Sequence, residues 1–142
     1  MKLNDSLLYQ IHALSCRVEA VLDDLCVADG KVGYAEYKVL VAVEEGGQTT
    51  YGTIAKWLGL SAPTLSYLGQ RLVGKGYLRL QTVEGDRRTR RVCLTTSGKQ
   101  LHQRLTVLIE QQVEIKFAAA LNPHQAKQLG TLMRAVESEF SS

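Results

Sequence analysis

The sequence predicts a mainly α-helical fold with one small β-hairpin. Three observations carry that prediction. Apolar residues recur in steps of three and four through most of the 142 residues, the period of a helix with one buried face. One stretch, residues 77–95, alternates instead, as a half-buried hairpin does. Glycines and hydroxyl or amide residues stand at the joints, where helices stop and start.

The elements follow in order. Residues 3–27 form a long helix whose stripe is Leu3, Leu7, Leu8, Ile11, Leu14, Val18, Val21, Leu22 and Leu25, and Asp29-Gly30 breaks it. A second helix runs over 34–45 with Tyr37, Leu40, Val41 and Val43 inward, and Gly46-Gly47 ends it. Gln48-Thr49-Thr50 reads as a short extended piece, with Thr50 capping a third helix over 51–58. Gly59 stops that helix where a left-handed residue is wanted. Ser61 caps a fourth helix, Pro63 sits in its first turn, and Gly74 and Gly76 bracket its end. Residues 77–83 and 90–95 read as strands around a charged turn at 84–88. Thr96 or Ser97 caps a fifth helix reaching about Leu121, with Leu101, Leu105, Leu108, Ile109, Val113 and Phe117 as its stripe. Asn122-Pro123 opens a sixth, with Ala126, Leu129, Leu132, Met133, Val136 and Phe140 on one side.

The third and fourth helices have the spacing of a helix-turn-helix. Ile54 and Leu58 make the core face of its first helix, Ala55 is small where the helices cross, Gly59 makes the turn, and Leu60, Leu65 and Leu68 complete the core. With the hairpin behind it, the expected architecture is a winged helix-turn-helix over 34–95. Residues 1–33 and 96–142 supply N- and C-terminal dimerisation helices, within one compact chain rather than independent domains. Their apolar stripes exceed what a small winged region can cover, and a symmetric partner would cover them.

Charge narrows the partner. Residues 56–104 hold ten basic and two acidic side chains, a net +8, while the remainder holds seven basic and twelve acidic, a net −5. A basic middle in an acidic frame suits a polyanion at one face. In the fourth helix Leu65, Leu68 and Leu72 point inward, leaving Ala62, Pro63, Thr64, Ser66, Tyr67, Gln70 and Arg71 outward or lateral. Ser66, Tyr67 and Gln70 are placed for base edges in a major groove, and Arg71 with the hydroxyls of Ser61 and Thr64 for phosphates. Mid-helix Gly69 is unexpected, since it costs about 1 kcal/mol relative to Ala. Arg87, Arg88, Arg90 and Arg91 cluster at the hairpin tip, where an arginine can enter a narrow minor groove. Asp86 is placed to hold the Arg88 guanidinium. Arginines that merely solubilise a hairpin are the alternative.

The segments Thr53–Ser61 and Leu72–Leu78, with Asp86-Arg87-Arg88 ahead of Val92-Cys93-Leu94-Thr95 and Gly98, resemble the MarR family of bacterial transcription regulators. The last group is similar to that family's wing signature, Asp-x-Arg then Leu-Thr-x-x-Gly. The resemblance implies a homodimer on a pseudo-palindromic double-stranded operator, a repressor released by a small molecule or an oxidant. It also implies a pocket for a small aromatic ligand, for which Tyr9, His12, Tyr34, Tyr37 and Trp57 are candidates, with plain core as the alternative role for such aromatics. Cys16 and Cys26 are the candidate redox thiols, although of the three cysteines buried inert thiols are the commoner type. His12 and Cys16 stand four apart, and His102 is a conceivable third ligand, but no HxxxH or clustered carboxylate reinforces a metal site and none is expected.

Other classes fit less well. No apolar run approaches the roughly 20 residues of a membrane span, and the start lacks the pattern of a secretory signal, so a cytoplasmic protein is expected. No nucleophile elbow, phosphate loop, HExxH or catalytic carboxylate pair is present, so no enzyme and no cofactor are expected. A winged helix that docks another protein instead of DNA is the competing function.

Overall fold

A computed structural model of the chain describes residues 2, 5–47 and 49–141, with backbone alone at Arg87 and Arg88. Leu3 and Gln48, expected in the first helix and the extended piece, lie outside the described residues. The elements are α1 (Leu7–Gly30), α2 (Tyr34–Gly46), α3 (Tyr51–Leu58), α4 (Ala62–Gly74), β1 (Leu78–Val83), β2 (Asp86–Leu94), α5 (Thr96–Ala120) and α6 (Pro123–Phe140). The chain divides into two compact units, Met1–Thr106 and Val107–Ser142. No helix among the described residues is long and apolar enough to cross a membrane.

In the first unit Leu40, Ile54, Leu65, Leu72, Val92 and Leu105 are almost completely buried. They come from five elements, Leu65 and Leu72 both from α4, so the core sits where α2, α3, α4, β2 and the start of α5 converge. Thr50 Oγ1 accepts from the Thr53 N–H at 3.4 Å and opens α3; Gly59, at φ 64°, closes it. The hairpin is antiparallel from Leu78 opposite Leu94 to Thr82 opposite Arg90, after which Val83 faces Asp86. Residues 87–89 therefore bulge from β2 at the tip. Thr49 adds a single bridge to the far side of β2, accepting the Val92 N–H at 2.8 Å.

Four expectations change. Gly30 does not break α1: the helix runs through it and Lys31 takes the left-handed conformation at φ 59°. Gly30 is there because a Cβ would lie 2.6 Å from Leu101 Cδ1. Thr95 caps α5, not Thr96 or Ser97, with its hydroxyl accepting the Gly98 N–H at 3.0 Å. Strand β2 begins at Asp86, so the turn is only Glu84-Gly85. Val41, Leu58 and Leu60 are half-buried rather than core, while Val39 and Ala42, unassigned from the pattern, are buried.

In the second unit, α6 opens with a reciprocal cap in which Asn122 Oδ1 accepts the Gln125 N–H and Gln125 Oε1 accepts the Asn122 N–H. Its Leu129, Leu132, Met133, Val136 and Phe140 are exposed. So are Ile115 and Phe117 of α5.

Candidate nucleic-acid interface

Helix α4 is built as a two-sided element. Leu65, Leu68, Gly69 and Leu72 are buried on one side. At 100° per residue, Pro63, Tyr67 and Gln70 lie diametrically opposite, and Ala62, Thr64 and Arg71 are exposed beside them. Ser66 is half-buried at the edge. Gly69 now has a reason: a Cβ there would collide with the Tyr51 phenol, so glycine lets α3 and α4 close up. Ser61 and Thr64 are partly occupied with each other. Ser61 Oγ accepts the Thr64 N–H at 3.3 Å and donates to Thr64 Oγ1 at 2.8 Å.

On the same face Arg71 Nη1 donates to Tyr67 Oη at 3.1 Å, with the guanidinium 5.6 Å from the Tyr67 ring centre. That bond and the charge of Glu36 hold the Arg71 guanidinium even more firmly protonated than usual. Glu36 was not singled out from the sequence. Its carboxylate is buried on α2, ion-paired to Lys75 at 3.0 Å and to Arg71 at 3.7 Å. A signal existed: Glu36, Leu40 and Val43 share one helical face, and a charge on an apolar face requires a partner.

At the wing, Asp86 accepts the Thr89 N–H at 3.3 Å and the Thr89 hydroxyl at 2.5 Å, which pins the bulge. The side chains of Arg87 and Arg88, and with them the expected Asp86–Arg88 pair, lie outside the described residues. Arg90 is exposed and Arg91 half-buried.

Three of the five candidate ligand residues come together. Tyr34, Tyr37 and Trp57, with Lys38, line a groove of about 370 Å³ between α2 and the end of α3. Trp57 is 56% exposed and accessible there. Lys38 Nζ lies 5.1 Å from the Tyr34 ring centre and 3.9 Å from Glu19. Burial, then Glu19, raises the Tyr34 phenol. Tyr37 is buried wall: its ring stacks against Tyr34 at 6.1 Å and His102 at 6.2 Å, and its hydroxyl lies 2.7 Å from Thr106 Oγ1. Tyr9 and His12 do not line this groove, because they sit on the exposed N-terminal half of α1.

The cysteines differ. Cys16 is exposed, contrary to the buried expectation, with its Sγ 3.6 Å from His12 Nε2. His102, the conceivable third ligand, stacks on Tyr37 instead. Cys26 is fully buried, and burial, helped by Asp23 and Asp29, pushes its thiol up to about 11. The folded chain thus holds this proton more tightly than an unfolded one. The stabilisation is complete below about pH 9 and is lost as pH rises toward 11. Urea melts across that window should show falling stability, and Cys26→Ser should flatten the slope; an unchanged slope would remove Cys26 as its source.

The sequence model of the MarR family matches residues 32–89. This segment is a MarR-family winged helix. Solved structures show the same fold around it. A MarR/EmrR family transcriptional regulator from Acinetobacter sp. ADP1 superposes with a TM-score of 0.86 at 16% identity, covering 99% of each chain. A cysteine-to-serine mutant of MarR from E. coli, complexed with operator DNA, gives 0.82 at 23% identity over 92% of each chain. BpsR of Bordetella bronchiseptica, whose DNA binding is regulated by 6-hydroxynicotinic acid, gives 0.81 at 21% identity over 96% of each. No curated protein matches the chain in sequence. Within the MarR-family segment fall α2, α3, α4, β1 and the wing tip, hence the exposed face of α4, the groove and Glu36. Gly98, which completes the wing signature, lies beyond it.

Proposed function

We propose that the chain is a sequence-specific, double-stranded DNA-binding transcription regulator, a homodimeric repressor released by a small molecule. The observation that carries this reading is the two-sided α4. Its three leucines are all consumed by the core, and its opposite face presents Tyr67, Gln70 and Arg71 to solvent beside a basic hairpin. That is the arrangement in which a recognition helix enters a major groove while a wing follows the backbone. The MarR–operator complex among the similar structures supports it. Such a protein works in the cytoplasm, where the DNA is.

The dimer is supported by surface that one copy leaves bare. Leu7 and Leu8 of α1 are 76% and 75% exposed, and Phe140 of α6 is 84% exposed. A two-fold partner buries such stripes and sets two copies of α4 about 34 Å apart, one DNA turn, which calls for a pseudo-palindromic operator. The groove at Tyr34 and Trp57 suits a small aromatic ligand, in line with BpsR's response to 6-hydroxynicotinic acid.

Selection of binding sites from genomic DNA with the purified protein, with and without small aromatic acids and peroxide, tests the whole reading. An enriched pseudo-palindrome is expected; no enrichment, with capture of a protein through α4, would favour the interaction-module reading. On the selected operator, Arg88→Ala should weaken binding by about 1–3 kcal/mol with the dimer intact. Affinity should also fall steeply with salt, and a flat response would argue against phosphate contacts.

A further inference from the structure

Glu36 is the carboxylate that binds the start of α2 to the end of α4. It is 5% exposed at the start of α2. Its oxygens accept the Gly33 N–H at 3.3 Å and Lys75 Nζ at 3.0 and 3.4 Å, and Arg71 Nη2 stands 3.7 Å away. Lys75 Nζ also donates to the Lys31 carbonyl at 3.0 Å, tying the end of α4 to the left-handed joint after α1. Arg71 spans two worlds: one guanidinium nitrogen faces Glu36, and the other bonds Tyr67 Oη on the exposed face.

A buried carboxylate has lost its water and keeps a standing demand for positive charge. Arg71 meets part of that demand, so its swing toward solvent is opposed. We infer that Glu36 is a positioning residue for the DNA-reading face: it restrains Arg71 against Tyr67 and stops it from engaging whatever phosphate is nearest. The inference rests on the proposed DNA-binding role of α4. Its consequence is discrimination. A free arginine binds any duplex by charge, whereas a restrained one contributes only where the duplex fits the fixed Tyr67–Arg71 pair.

The test is Glu36→Gln, which keeps the shape and the acceptor toward Gly33 but removes the charge. Affinity for a random duplex should rise about two- to fivefold, the factor that releasing a half-exposed ion pair corresponds to. The plot of log affinity against log salt should steepen by about one released counterion. The selected operator should gain less, so the ratio of specific to random binding falls. In an Arg71→Ala background, Glu36→Gln should do nothing to random binding. Unchanged random affinity and slope, or a shift that persists without Arg71, would overturn the inference. Side-chain nitrogen relaxation of Arg71 in the wild-type protein gives a reading free of DNA and of any variant. An ordered guanidinium is expected, and one as mobile as a free side chain would overturn the restraint. If the wild-type protein binds no duplex, the regulator reading fails, while the relaxation measurement still decides the Glu36 restraint.

Discussion

Gly98→Ala is expected to destabilise the fold by about 3 kcal/mol or more, enough to lower Tm by about 10 °C in a chain of this size. Helix propensity alone gives the opposite sign, since Ala is favoured over Gly in a helix by about 1 kcal/mol. Packing decides. A Cβ at Gly98 would collide with the Tyr77 carbonyl oxygen. That oxygen is main chain and already accepts the Thr95 N–H at 3.1 Å, while Thr95 Oγ1 donates to the Gly76 carbonyl at 2.6 Å. The first turn of α5 is therefore laced to the start of β1, and a methyl group forces the lacing apart. Each lost hydrogen bond adds about 1 kcal/mol. Thermal and urea melts measure it; a Tm shift under about 2 °C would mean that α5 can step away from Tyr77 at little cost.

Leu65→Ala and Tyr67→Ala should separate stability from binding on a single helix. Leu65 is 1% exposed beneath α4, and its truncation should cost about 2–5 kcal/mol of folding free energy. Tyr67, two residues on, is 59% exposed, and its loss should change stability by about 0.5 kcal/mol while operator affinity falls about fivefold or more, the roughly 1–3 kcal/mol of a base-reading contact. Paired urea melts and operator titrations give both numbers. If Tyr67→Ala leaves operator affinity untouched, the outward face of α4 is not the reading face.

The parts of this fold that were legible in the sequence are the ones decided locally. Helix α3 is bounded by a capping threonine and a left-handed glycine, both within a residue of its ends, and its limits read off directly as 51–58. The same holds for Asn122-Pro123 and α6. The illegible parts depend on residues distant in the chain. Gly30 looks like a helix breaker until Leu101 is seen against it, and Gly69 looks like a flaw until Tyr51 is. Thr95 looks like the last strand residue because nothing near it in the chain shows that Gly76 and Tyr77 take its hydroxyl and N–H. For the site, the exposed face of α4 followed from its leucine spacing, and the groove was half-visible in Tyr34, Tyr37 and Trp57. Glu36 is hidden in the sequence because its cations, Arg71 and Lys75, come from 35 and 39 residues away.

Trp57 is the only tryptophan in the chain, and it stands in the groove wall, just over half exposed. Its indole emission therefore reports from one known place. An occupant that displaces water from the ring should shift the emission to shorter wavelength or quench it, with no label attached. Because Trp57 lies two residues before the Gly59 turn into α4, one optical channel observes both the groove and the joint between α3 and α4.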